Sequence, residues 1–157
     1  MKFLKIAAAV LVVLFVIAAI AAPIGPMPGF TIDGTAAQAP ATWGDTSAID
    51  EIHLQVNDGP FGRTVIIWMV QIEEDLYVLG EASSGWAQAI GSGGPVRMQM
   101  EGKLYNLTAT PVTEGQAQVI ETWRAKYADS YPDIIAGFPP MEEALHTTSL
   151  FRLSRRA

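Results

Sequence analysis

The sequence predicts a mainly β domain of α+β type. The expected architecture is a small antiparallel barrel with one short and one longer helix, preceded by an N-terminal transmembrane helix or signal segment. Three observations predict it. Six short apolar runs between Glu51 and Arg156 are bounded by turn signals. One of them, "TVIIWMVQI", is apolar on both faces and needs cover on both. Only one long helical pattern is present in about 110 residues, too little to cover such a sheet on two sides. The sheet must close on itself, or a second subunit must cover it. A homodimer is therefore expected alongside the barrel.

The elements follow in order. "MKFLK" is a short basic start, and Ile6 to Ala22 follow without a charge or strong polar group. Those 17 residues would span roughly 26 Å as a helix, close to a bilayer core. Lys2 and Lys5 favour an inside N-terminus and place the rest outside the cytoplasm. Residues 1–22 read as an uncleaved signal anchor or, given the small residues Ala19 and Ala21, a cleaved signal peptide. Both imply export, membrane-anchored or free. Residues 23–50 are rich in Gly, Pro, Ala, Ser and Thr and lack sustained periodicity. They read as an extended linker or arm, with Phe30 and Trp43 as pins onto the domain.

Residues 51–157 form the domain. "EIHLQV" alternates, with Ile52, Leu54 and Val56 on the buried side. "NDGPFG" is turn chemistry. "EED" reverses "TVIIWMVQI" into "LYVLGE". "SSGWAQAIGSGG" fits a short helix with Ser83 or Ser84 as N-cap and Gly91 at its end. A hairpin follows, Val96 to Met100 and Lys103 to Pro111, turning at Glu101-Gly102. Thr113 and Gln116 have capping-box spacing before a helix carrying Val119 or Ile120, Trp123, Tyr127 and Tyr131. Pro132 should stop that helix. "AGFPP" reads as a loop, "MEEAL" as one further turn, and "TTSLFRLSRR" as the last strand.

Charge and composition exclude several functions. Net charge is −6. It falls to about −8 without the first 22 residues, which hold two lysines and no acid. Such a domain is a poor partner for nucleic acid. The basic cluster Arg152, Arg155 and Arg156 reads as a solvated tail. With no cysteine, disulfides, thiolate metal sites and Cys nucleophiles are excluded. His53 and His146 lack acids at metal-ligand spacing, so no metal site is expected. Glu73-Glu74 and Glu142-Glu143 read as turn and helix-start charges, not an acid/base pair. "NLT" at Asn106 fits a glycosylation sequon but falls inside an expected strand.

"GRTVIIWMVQIEEDLYVLG", "SGWAQAIGSGGPVRMQMEGKLYNLTATPVT", "AKYADSYP" and "LFRLSRR", taken in that order, resemble the split β-barrel flavin-binding superfamily. This is the pyridoxamine-phosphate-oxidase-like group, and the likeness is to its deazaflavin-dependent nitroreductase-type branch. The resemblance covers about Glu51 to Arg156. It implies FMN or a deazaflavin coenzyme at a dimer interface and hydride transfer to a small acceptor. By position, Arg63 and Thr64 would meet the phosphate, as a permanently charged fork and a hydroxyl donor. Ile66 and Trp68 would line the ring face. Ser83, Ser84, Gly85 and Trp86 would form the second contact, with hydroxyls and helix-start amides on phosphate and an indole on the ring. No side chain of the chain is expected to act as a catalytic acid or base.

Bland readings stand beside these. Trp68 and Trp86 also fit the core, and Arg63 in a turn also fits a solvated charge. Many flavin-binding relatives carry Lys or Arg around Ser83 to Gly85, and this chain has none. The alternative is an exported split barrel without cofactor or catalysis that binds a small ligand or protein partner.

Overall fold

The computed structural model describes residues 27–156, together with 10, 11, 13 and 23. The expected membrane or signal segment, residues 6–22, otherwise lies outside the described residues. Among the described residues no helix is long and apolar enough to cross a membrane.

The elements are β1 (Thr35–Ala37), β2 (Glu51–Val56), β3 (Arg63–Ile72), β4 (Asp75–Glu81), α1 (Gly85–Ile90), β5 (Gly94–Met100), β6 (Lys103–Pro111), α2 (Gln116–Tyr127), α3 (Pro132–Gly137), α4 (Met141–Thr147) and β7 (Thr148–Arg155). Strand order is β1-β6-β5-β2-β3-β4-β7, and a further β6–β7 pairing closes the ring. The barrel therefore has six antiparallel strands, β2 to β7, with β1 added outside as a parallel partner of β6. Strand β6 is shared along its length. Lys103 to Tyr105 pair with β1, and Leu107 to Pro111 pair with β7.

Period-two alternation decides what faces inward. Ile52, Leu54 and Val56 of β2, Ile67 and Met69 of β3, Val96 and Met98 of β5 and Leu153 of β7 form one interior cluster. On β3 the opposite face, with Trp68, Val70 and Ile72, joins a second cluster beneath α2. The doubly apolar strand thus has cover on both sides: the barrel interior within, a helix without.

The closure is incomplete at one place. β3 pairs with β4 only from Met69 to Ile72, so its first half parts from β4. Helix α1 plugs that gap, burying Trp86, Ala87 and Ile90 in the interior cluster. Trp86 meets Phe151 edge-on at 5.8 Å. A Cβ on Gly80 would stand 2.6 Å from the indole, so glycine is needed for this close approach.

The arm lies on the barrel. It supplies β1, and Trp43 enters the interior cluster against Tyr105. Gly29 exchanges backbone hydrogen bonds with Thr64 at 2.7 and 2.8 Å, on the half of β3 that β4 leaves unpaired.

Several local expectations need correction. One helix is unexpected, α3 at Pro132–Gly137, and the further turn expected at "MEEAL" runs on to Thr147 as α4. The long helix ends at Tyr127, five residues short of Pro132, so Tyr131 is the N-cap of α3 and not part of α2, and Pro132 opens α3 at its first turn, where the missing N–H has no intrahelical acceptor to lose. Thr113 does not cap α2: Gly115 takes the N-cap position in a left-handed conformation, and Gln116 donates back to the Val112 carbonyl. Ser84 occupies the N-cap of α1, yet its hydroxyl donates to the Glu81 carbonyl at 2.7 Å, not accepting from the helix.

Candidate functional site

The residues expected to cradle a cofactor fall into three environments. At the mouth of the gap, Arg63 begins β3 and Gly85 begins α1. A Cβ on Gly85 would sit 3.0 Å from the guanidinium carbon of Arg63. Glycine there lets the guanidinium lie against the start of α1, so the two sequence-distant spots do meet. Ser83 and Ser84 stand beside them, Ser83 exposed and Ser84 half-buried. Arg63 is already paired, Nε donating to Asp58 at 2.6 Å, and about a third of its side chain remains exposed.

The second environment is buried, with Thr64 on the outer face of β3 beneath the arm and Trp86 in the barrel interior. Thr64 is fully buried, and its hydroxyl accepts from Gln55 Nε2 at 3.1 Å. Gln55 also donates to the Phe30 carbonyl. Placed under the arm, Thr64 has no open path to a phosphate. Trp86 is 9% exposed and packs into the barrel, so its faces are spent on core contacts.

The third is the outer face of β3. Ile66 is half-buried there, opposite His53 of β2. Trp68 points outward too but stacks on Tyr127 at 4.3 Å and 18°, with Trp123 and Tyr131 at 5.5 and 4.5 Å. This aromatic stack is the root of α2 packing, and Trp68 belongs to it.

The polar bonds around that stack have no signature in the residue pattern. Tyr127 accepts from the Met69 N–H at 3.1 Å and lies 2.7 Å from both the Met69 and Asp50 carbonyls. Burial pushes its hydroxyl well above the usual tyrosine range. Lys126 Nζ donates to the carbonyls of Ile49 and Met69, at 2.6 and 3.0 Å, with the Thr46 carbonyl at 3.3 Å. Burial lowers its pKa, and Asp50 and Asp45 oppose that. Lys126 thereby ties the arm to α2 and β3. A groove of about 670 Å³ runs beside it, bordered by Trp43, Asp45, Gln71 and Thr122.

A larger hollow, about 860 Å³, adjoins Ser83 and is walled by Glu81, Ile134, Phe138 and Glu143. Among the described residues no group of His, Asp or Glu is arranged to hold a metal ion. No nucleophile–base pair stands out in the hydrogen bonds around Arg63 and Ser84.

No protein-family model matches the chain, and no curated protein does. Two solved structures share its outline. One is HutZ, the heme storage protein from Vibrio cholerae, at 17% identity and TM-score 0.47, covering 69% of this chain and 82% of that one. The other is a NimC/NimA family protein from Clostridium acetobutylicum, at 13% identity and TM-score 0.46, covering 66% and 70%. Likeness at this level has no bearing on function.

Proposed function

We propose that the chain is an exported or membrane-tethered split-barrel protein that binds FMN or a deazaflavin and works as a homodimer. The observation that carries this reading is the apposition of Arg63 with Gly85, flanked by Ser83 and Ser84, at the plugged gap of the barrel. The phosphate end of such a coenzyme fits these residues. The guanidinium of Arg63 keeps its Nη groups for a phosphate, and the hydroxyls of Ser83 and Ser84 would join it on turning away from Glu81, to which both now donate. The ring end fits less fully, because Trp86 and Trp68 are both engaged elsewhere and Ile66 alone remains to line it. A bound flavin or deazaflavin supplies hydride transfer to a small acceptor. The chain's own residues bind and orient it, and none is assigned acid or base work.

The dimer would complete the ring end. Ile66, His53, Gln99 and Leu104 stand in one row across β3, β2, β5 and β6, away from the barrel interior, and each is half-buried. Gly34 of the arm already lies against Gln99 and Leu104, so a second copy laid on the Ile66 and His53 end of this row would cover Ile66 and close the site. Tethering rests on Lys2 and Lys5 ahead of the apolar run.

The test is an absorbance spectrum of the purified full chain, followed by titration with FMN and deazaflavin and by sedimentation. A yellow chromophore or saturable binding is expected, with a dimer in sedimentation. Arg63→Ala should weaken binding by about 1.5–3 kcal/mol, the usual worth of a hydrogen bond to a charged group. The Asp58 carboxylate, left unpaired, would add repulsion to that loss. No chromophore and no binding on addition would overturn the redox reading.

A second reading is favoured by the burial of Thr64 and Trp86: a non-catalytic barrel that binds a small ligand or protein partner. The same spectrum separates the two.

A further inference from the structure

A different part of the barrel carries a site independent of the coenzyme reading. Two adjoining hollows, about 340 and 300 Å³, share Asn106 and Arg156. Arg155 borders the first, and Arg97, Gln55 and Asn57 border the second. No carboxylate lines either one. That is unusual in a chain with 16 acidic and 10 basic residues, where arginines readily find acidic neighbours. Among the described residues the ion pairs are Arg63–Asp58 and Arg152–Asp75, so these three arginines have no acidic partner within bonding distance.

The floor is built. Thr64, Gln55, Arg97 and Asn106 are consecutive cross-strand partners over β3, β2, β5 and β6. Gln55 is buried, donates to Thr64, and accepts from Arg97 through Nε at 2.8 Å and through Nη2. That bond fixes the guanidinium plane and leaves Nη1 without a partner among the described residues. Arg156 enters from the chain's last described residue, and Arg155 from the end of β7. On its far side Arg155 borders a hollow with Glu74 and Asp75, so the positive potential rests chiefly on Arg97 and Arg156. Guanidinium forks with amide donors at close quarters are the donor set that phosphate oxygens take bidentately. Two hollows joined at Arg156 and Asn106 suit a ligand with two adjacent anionic groups.

We propose that this double hollow binds a diphosphate-bearing small molecule, with one phosphate in each hollow and Arg156 and Asn106 between them. Sequence alone presents Arg155 and Arg156 as a solvated tail, because Arg97 and Asn106 are brought to them only by the barrel.

The experiment is calorimetric titration of the full chain with pyrophosphate, orthophosphate and sulfate at constant ionic strength. Saturable pyrophosphate binding, at least tenfold tighter than orthophosphate or sulfate, is expected. Arg156→Gln, at the exposed rim, should weaken it tenfold or more with the thermal midpoint unchanged. Arg97→Gln should weaken binding by the same factor but lower the thermal midpoint as well, because buried Gln55 loses its donor. Two outcomes of the anion titrations overturn the proposal. One is equal, unsaturable response to all three anions. The other is pyrophosphate binding indifferent to Arg156→Gln. Vesicles of phosphatidylcholine with and without phosphatidylserine give a third arm. Binding to the anionic vesicles without any pyrophosphate response would mean a lipid surface, and would overturn the small-ligand assignment.

Discussion

The barrel interior and the cluster outside it, beneath α2, are both apolar, but they are held differently. The interior is a volume problem. Its side chains alternate along six strands, and the leftover space is filled by two plugs, Trp43 from the arm and Trp86 from α1. The outer cluster is a bonding problem. Its aromatic rings stack around Trp68, yet the helix is fixed to the barrel by Tyr127 and Lys126 reaching backbone groups of β3 and the arm. Truncation should therefore hurt most inside, and loss of a single polar atom should hurt outside.

Trp86→Ala is the largest test. Removing a buried indole leaves a cavity the barrel cannot collapse, and about 3–5 kcal/mol of stability should be lost. Chemical denaturation measures it. A cost below that of the outer variants would break the comparison.

Lys126→Met comes next. The arm loses its ammonium donor to Ile49 and Thr46. Hydrogen exchange over residues 43–50 should accelerate by an opening free energy of about 1.5–3 kcal/mol, while β5 and β6 stay protected. Uniform acceleration would mean that the arm and the barrel open as one unit.

Tyr127→Phe keeps the ring stack and removes one oxygen, taking a partner from the Met69 N–H and the Asp50 carbonyl, while the Met69 carbonyl keeps Lys126. A loss of about 1–3 kcal/mol is expected. This variant also changes the alkaline limb. Burial raises the Tyr127 pKa above its ordinary value of 10.0. Above pH 10 the unfolded chain gives up a proton that the folded chain keeps, so stability falls as pH rises. Below pH 10 the contribution is complete. Tyr77 and Tyr131, also raised by burial, act in the same direction. Melting from pH 8 to 11 should thus show a shallower decline for Tyr127→Phe, not a flat one.

Strand positions were legible because alternation is a local property: Ile52, Leu54 and Val56 face inward as the spacing predicts. The helix stripe Val119, Ile120, Trp123 and Tyr127 was legible for the same reason. Helix ends were less so, since Gly115 displaced Thr113 through backbone geometry that composition does not reveal. Site residues were the hardest. Thr64 looks available on an isolated strand, and only the returning arm buries it. Trp68 and Trp86 look alike in sequence, yet one serves the outer core and the other the inner. Arg97 and Arg156 lie far apart in the chain and meet only after the ring closes.

One strand carries a practical burden. Along β6 the half from Lys103 to Tyr105 has its outer backbone groups met by β1, three residues of the arm. Strip the arm away and those groups become a bare template, ready to recruit the strand of another molecule. The arm then acts as a stopper against chain-to-chain polymerisation. A fragment starting at Glu51 would tend toward insoluble assemblies, however intact its barrel.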